Sequence, residues 1–417
     1  MSVAEKYYAV LLHGRRVGTL RQRGDFTRFS FNEAYLEDPR RAVLGLRFEE
    51  RLRAPYSSAL RLPKWFSNLL PEGPLREWIA QDRGVSLDRE MELLAQVGHD
   101  LPGAVQVREV DDVDDDRPWS HPAASPDDAV PATADSPWRF SMAGVALKFS
   151  MLASGDRLTV PAAGVHGDWL VKFPDYRYPD VPRNEFAMMG LARAAGVEVP
   201  ETRLVHRDEL DGVPARMWPN EEEWAYAVRR FDRLADERRT PVHMEDFAQV
   251  RDKYPQAKYE GTFETVAALA YRGRDLRSLA EAVRRIAFCA VIGNGDAHLK
   301  NWSLIYRDRR VPTLSPAYDL VSTAPYSPAG EAEDLGLKFG GSKRFADVRT
   351  PVFDRLRERL SRQLGAVDLD LAAIAAHTVE RVREQWPEHA DGLAANPELR
   401  KAVGDWISWC SSSILGA

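Results

Sequence analysis

The stretch Ile292-Gly293-Asn294-Gly295-Asp296-Ala297-His298-Leu299-Lys300-Asn301-Trp302 decides how the rest of the chain is read. Before it, Leu279, Ala282, Val283, Ile286 and Ala287 recur at helical spacing and, with residues 289–292, form an apolar helix that runs into the Gly-Asn-Gly turn. After it, residues 302–306 and 311–314 read as two strands joined by residues 307–310, a hairpin that returns the chain toward Asp319. Asp296 stands five positions before Asn301. That order suits phosphoryl transfer: one aspartate orients an acceptor hydroxyl and takes its proton, while an asparagine and a second aspartate hold Mg²⁺. A polar loop that only satisfies its own turn backbone would use the same residue types. Asp, His, Lys and Asn set between two buried elements favour the chemical reading.

The chain has 417 residues, enough for two or three domains and a sizeable core. No apolar run approaches the ~20 residues that cross a bilayer, so no membrane partner is expected. Residues 1–8 lack the apolar core of a secretory signal. Cys289 and Cys410 are the only cysteines, which excludes a disulfide framework and a cysteine-based zinc site. A cytoplasmic location is the expectation. The net charge of −6 argues against a chain that grips nucleic acid through a wide basic face of its own, and leaves DNA contact through a partner open.

Residues 6–53 alternate apolar and polar side chains around turns at His13-Gly14 and Gly24-Asp25, and read as antiparallel hairpins. Helices are expected at residues 74–81 and 88–96, so residues 1–107 form a small α+β domain. Residues 108–137 are rich in Asp, Pro, Ala and Ser, with Trp119 almost the only large apolar side chain, and read as a flexible linker. Strands and helices alternate over 138–235, and helical periodicity dominates 236–417 apart from the 293–319 segment. The fold class expected is α+β.

Three further segments fall in the order that phosphoryl transfer requires. Phe140-Ser141-Met142-Ala143-Gly144-Val145-Ala146-Leu147-Lys148 is small enough for backbone N–H groups to approach phosphate, with Lys148 adding charge. A Gly-Ala turn between strands would look the same. In Trp169-Leu170-Val171-Lys172-Phe173-Pro174 a lysine sits in an apolar strand, where its ammonium needs an anion. Phosphates would supply one, with Glu185 holding the lysine from a helix expected over about 183–195 and stopped by Gly196. A solvent-facing edge lysine is the plain alternative. Residues 224–233 read as a strand leaving into a charged connection, the place of a hinge whose backbone amides pair with adenine. Arg230 and Phe231 are the nucleotide-contact candidates there, Phe231 by packing on the base. His298 and Lys300 are candidates for contact with phosphate or with structural partners.

These motifs together resemble the HipA family of serine/threonine-protein kinase toxins, from type II toxin–antitoxin systems. The carrying residues are Phe140–Gly144, Val171–Pro174, Asn184-Glu185, Arg230–Arg233, Gly293–Asn301 and Ser315–Asp319, with Leu69–Glu72 and Gly103–Gln106 similar to the family's N-terminal domain. The resemblance implies a bilobal, protein-kinase-like fold with an N-terminal α+β subdomain and a mostly helical C-terminal lobe. It implies ATP and Mg²⁺, with Asp296 catalytic and Asn301 and Asp319 on the metal. Ser141, Ala143, Gly144, Lys148, Lys172, Glu185, Arg230, Phe231, His298 and Lys300 then surround the nucleotide. It further implies a protein substrate such as an aminoacyl-tRNA synthetase, slowed growth, and a helix-turn-helix antitoxin that brings the complex to DNA. By position Ser141 matches the serine that the family autophosphorylates; Ser150 is a second candidate. The chain departs from the family at Ala146-Leu147, where Gln-Glu or Gln-Pro is usual, and at Arg229, where Glu is common. Two other readings share the metal residues: a small-molecule phosphotransferase, and a catalytically weak corepressor scaffold for the antitoxin.

Overall fold

Alternation near the N-terminus folds as its pattern predicts as far as Phe31, whereas the rest of the 6–53 stretch expected as hairpins holds two helical turns, one opened by Asn32 capping the Tyr35 amide. In the computed structural model, which describes residues 5–111, 148–154, 157–159, 167–327 and 334–416, strands β1 (Glu5–Leu12), β2 (Arg15–Arg23) and β3 (Phe26–Phe31) pair antiparallel. His13 and Gly14 both take positive φ, 50° and 75°, which a tight hairpin turn of this hand requires. The single turns α1 (Glu33–Leu36), α2 (Leu46–Glu49) and α3 (Lys64–Ser67) follow, with β4 (Tyr56–Ala59) between the last two. Then come the helices α4 (Gly73–Arg83) and α5 (Glu90–Val97), and strand β5 (Val105–Val110). The sheet order is β4-β3-β2-β1-β5. Strand β5 continues through Arg108, Glu109 and Val110, past the boundary expected at 107, because its backbone pairs with Tyr7–Ala9 whatever its side chains. Residues 112–137 of the expected linker lie outside the described residues.

The second sheet contains β6 (Lys148–Ser154), β7 (Arg157–Thr159), β8 (Trp169–Lys172), β9 (Thr202–His206), β10 (Leu210–Asp211) and β11 (Trp224–Arg229), in the order β10-β7-β6-β8-β11-β9. Its side chains divide between two cores with the period of two that a strand imposes. Trp169, Val171, Ala225 and Ala227 join the apolar cluster of the N-terminal domain, around Phe29, Phe66 and Leu94. Leu170, Tyr226 and Val228 join the cluster of the helical lobe. A sheet covered on both faces needs apolar residues on both, which is why β8 and β11 read as continuous hydrophobic runs rather than alternating ones. Helix α6 (Val181–Ala194) packs on the second face and ends where Gly196 takes φ +85°, with the Val197 amide donating to Ala192 O at 2.9 Å.

The rest of the chain builds the helical lobe. Strand β12 (His243–Asp246) and the turn α7 (Phe247–Val250) lead to α8 (Phe263–Tyr271) and α9 (Leu276–Val291). After the turn at residues 293–301 come β13 (Ser303–Tyr306), β14 (Thr313–Leu314), β15 (Asp334–Phe339) and β16 (Ser342–Arg344), then α10 (Thr350–Leu364), α11 (Leu371–His389) and α12 (Pro397–Leu415). Asp275 caps α9 by accepting from the Ser278 amide at 2.8 Å, and α8, α11 and α12 pack around it, so its residues from Arg285 to Val291 are all buried. The β13–β14 hairpin is as expected. Its partner β12 is not legible locally, and neither is the β15–β16 hairpin, which falls in a region expected to lack strands. That turn is made possible by Gly340 and Gly341, with φ of +59° and +90°.

Buried Glu245 on β12 joins the lobes: it accepts from the Leu46 amide (2.9 Å), Trp65 Nε1 (3.0 Å) and the Tyr306 hydroxyl. Among the described residues no helix is long and apolar enough to cross a membrane.

Candidate active site

Helix α9 delivers the catalytic turn from a buried, rigid base. Gly293, at φ +68°, makes the reversal, and its carbonyl accepts from the Thr323 and Ala324 amides at 3.0 Å. Asn294 Oδ1 accepts from the Asp296 amide (3.0 Å), and Asn301 Nδ2 donates to the Asp296 carbonyl (2.8 Å). The backbone of Asp296 is thus fixed at both ends, while its carboxyl opens into a cleft between the lobes. That cleft is lined by Lys148, Lys172, Glu185, Phe231, Asp296, His298, Lys300, Asn301 and Asp319, so the motifs spaced along the sequence do converge.

Two lysines dominate the cleft's charge. Lys148 and Lys172 face each other directly across the β6–β8 pair, both buried. Lys172 Nζ meets Glu185 Oε1 at 2.6 Å and Asp319 Oδ1. Burial alone would depress its pKa, but Asp319 and Glu185 outweigh that and hold it above the usual lysine range. Asp319 is correspondingly held below the carboxylate range: Lys172 and Lys148 overcome the cost of burial. It also adopts φ +62°, a left-handed backbone uncommon outside glycine and of the kind functional sites retain. Lys148 differs from Lys172 in having, among the described residues, no carboxylate at ion-pair distance. Burial and the facing Lys172 push it down to about 8. An unpaired buried ammonium of this kind is a place for an anion.

The hinge adds a buried ion-pair network that local sequence does not show. Arg230 lines the cleft, but its polar groups are engaged inside the protein: its amide donates to Asp168 O (2.8 Å), and its guanidinium is held by two aspartates. Nη1 donates to both oxygens of Asp100 (2.9 and 3.0 Å), Nε and Nη2 to Asp232 (3.0 and 2.9 Å). Arg233 bonds to the same two aspartates at 2.9 Å, closing a buried box of two arginines and two aspartates that ties the N-terminal domain to the hinge. Ser150, the second phosphorylation candidate, is buried in β6 with Oγ accepting from Arg230 at 3.0 Å. Phe231 does face the cleft, its ring centroid 5.6 Å from that of Tyr318. Ser141, Ala143 and Gly144 lie outside the described residues.

His298 and Lys300 both line the cleft, and Lys300 also has structural partners. Burial keeps His298 neutral, pushing it down to about 3. Lys300 Nζ meets Glu72 Oε1 of the N-terminal domain at 2.5 Å and Asn68 O at 3.2 Å. Glu72 also receives Lys258 at 3.1 Å. Its pKa falls to about 2, the two lysines exceeding the opposing effect of burial.

The same pieces have been seen together before. The family model described as HipA-like C-terminal domain matches residues 140–386, and that described as HipA N-terminal domain matches residues 8–108. This chain belongs to the HipA family. A Sinorhizobium fredii relative named "Putative kinase Y4dM" is 43% identical over 400 residues, covering 92% of each chain. The Shewanella oneidensis serine/threonine-protein kinase toxin HipA is 26% identical over 298 residues, 62% of each chain. Shewanella oneidensis HipA, solved with HipB and its operator DNA, superposes with a TM-score of 0.70 at 19% identity, over 97% of this chain and 96% of that one. The α+β, HipA-like fold expected from the motifs is the one observed.

Sequence reasoning missed Lys258, Tyr259 and Asp100, and gave Glu72, singled out only as part of a family-like motif, no place at the site. Tyr259 donates to Asp296 Oδ1, and nothing in its local sequence marks it. Gly336 of β15 is another such residue. A Cβ there would lie 2.9 Å from the Ala297 backbone and from Gly295 O, so the hairpin lies flat on the catalytic turn. Gly336→Ala is therefore expected to cost ~1–3 kcal/mol of stability, as overpacking does. Urea unfolding measures it, and an unchanged midpoint means the turn yields freely.

Proposed function

We propose that this HipA-family chain is a serine/threonine-protein kinase toxin, transferring the γ-phosphoryl group of ATP to a protein hydroxyl. One observation carries the reading: Lys172, held between Glu185 and Asp319, faces unpaired Lys148 in the cleft that also contains Asp296 and Asn301. The two lysines offer charge to the phosphates, and Phe231 and Tyr318 offer an aromatic wall to the base. Asp296 takes the acceptor's proton, and the anionic Asp319 keeps Lys172 oriented.

Asn301 and Asp319 present hard oxygen donors, and among the described residues no group of three or more His, Cys, Asp or Glu could hold a metal ion alone. That donor set fits Mg²⁺, which takes one or two protein ligands and completes its shell with phosphates and water. When bound, Mg²⁺ neutralises charge developing on the transferred group.

Similarity to a kinase toxin, and to a HipA chain solved with HipB and operator DNA, supports a toxin role beside a helix-turn-helix antitoxin. DNA would be reached through that partner. An aminoacyl-tRNA synthetase is the substrate class we propose, and Ser141 the site of autophosphorylation. The purified chain, given [γ-³²P]ATP and Mg²⁺, should acquire label that maps to Ser141 by mass spectrometry. Its expression without the antitoxin should arrest growth. ATP binding without any label would instead favour the corepressor scaffold.

A further inference from the structure

Tyr259 is held from several sides. Its ring meets His298 edge-on, centroids 5.1 Å apart, and the Nζ atoms of Lys258 and Lys343 lie 5.5 and 6.0 Å from its centroid. Lys258 is itself fixed to Glu72 at 3.1 Å, and the Lys258 carbonyl accepts from the Leu299 amide at 3.0 Å. Tyr259 is thereby tied both to the N-terminal domain and to the catalytic turn. From this place its hydroxyl donates to Asp296 Oδ1, and among the described residues it is the hydrogen-bond donor to that carboxylate. His298 Nε2 stays 3.9 Å from the same oxygen. The backbone of Asp296 is fixed by Asn294 and Asn301, which leaves rotation of the carboxyl group as the freedom that Tyr259 removes.

We infer that Tyr259 is a positioning residue for phosphoryl transfer: by pinning Oδ1 of Asp296 it leaves Oδ2 to receive the proton of the acceptor hydroxyl. This rests on the kinase reading, in which Asp296 is the proton acceptor. In the step itself the acceptor O–H bond breaks as its oxygen bonds to the γ-phosphorus. The bond from that phosphorus to the bridging oxygen breaks, ADP leaves with the electron pair, and Asp296 takes the proton. Tyr259 exchanges no bond. A carboxylate free to turn would offer its proton-accepting oxygen in the right direction only part of the time, and the loss would appear in turnover rather than in ATP binding.

The test uses the full chain, [γ-³²P]ATP with Mg²⁺, and the rate of self-labelling, beside ATP affinity and thermal midpoint. Tyr259→Phe keeps the ring contacts and removes the donor. It should lower the maximal rate roughly tenfold or more while ATP affinity stays within about twofold. In an Asp296→Asn background the same change should cost nothing further, because the phenol acts through Asp296. Equal losses in both backgrounds would mean a structural role and overturn the inference, as would a wild-type rate in Tyr259→Phe. Should Tyr259→Phe melt early, Tyr259→His returns a ring N–H donor and should recover part of the rate; no recovery overturns the inference as well. Labelling that ignores Asp296→Asn defeats the kinase reading and this inference with it. Labelling that needs Asp296 but ignores Tyr259 defeats this inference alone.

Discussion

Asp296→Asn is expected to slow γ-phosphoryl transfer by on the order of 10³-fold, the contribution of a well-placed general base. ATP affinity should hardly change, since in the proposed arrangement Lys148 and Lys172, not Asp296, receive the phosphates. The pH dependence gives a second signature. Burial pushes the Asp296 carboxyl up to about 6; the Tyr259 hydroxyl and Lys258 pull it down, and Asp319 and Glu72 push it up. The side chain is still 48% exposed toward the cleft, so an acceptor can reach it. A base works only when ionised. The wild-type rate should therefore climb with pH through an apparent pKa near 6 and level off above it, whereas the residual rate of Asp296→Asn should lack that limb. Rapid-quench rates across this range measure both. A wild-type profile with no acidic limb, or an asparagine variant of full activity, would remove Asp296 from the chemistry.

Arg230→Met should be the most destabilising of the changes considered. It leaves Asp100 and Asp232 buried with Arg233 alone to compensate them, in a box whose four residues are each at most 6% exposed. Removing one partner from such a buried network costs about 3–5 kcal/mol, because the desolvated charge that remains is no longer balanced. Asp232 is held below the ordinary carboxylate range, burial being outweighed by Arg230 and Arg233. The variant's deficit should therefore shrink as pH falls into the range where carboxylates protonate and the surplus charge disappears. Urea midpoints at neutral and acidic pH test this. A midpoint equal to wild type at neutral pH would mean that water reaches the box and the charges were never isolated. The exposed pair Arg157–Asp211, which bridges β7 and β10, serves as the control and should change stability little when broken.

What could be read in advance, and what could not, follows from the range of the interactions. The catalytic turn announces itself because its chemistry is local: Asp296, Asn294 and Asn301 bond to one another within a few residues, and an apolar helix and hairpin bracket them. Lys172 was legible for a different reason, since a lysine in an apolar strand needs an anion wherever the strand lies. Glu72 gave no such signal. Its neighbours Pro71 and Gly73 read as a turn, and its lysine partner Lys258 stands 186 positions away. The partners of Arg230 were not legible, because adjacency to a hinge says nothing about what a guanidinium bonds; Asp100, 130 positions earlier, is one of them. His298 and Lys300 were placed correctly in the cleft, but burial made one neutral and Glu72 engaged the other.

The double-faced sheet and its distant stitches have a consequence for the chain as it leaves the ribosome. Glu72 and Asp100 are made early, yet Lys258, Lys300 and Arg230 emerge only after well over a hundred further residues. Trp406 of α12, which a Cβ at Gly293 would meet at 2.7 Å, comes later still. The packing around the turn at Gly293 is therefore complete only once α12 has been made. On the toxin reading proposed above, this order of synthesis would delay activity until the chain is nearly complete.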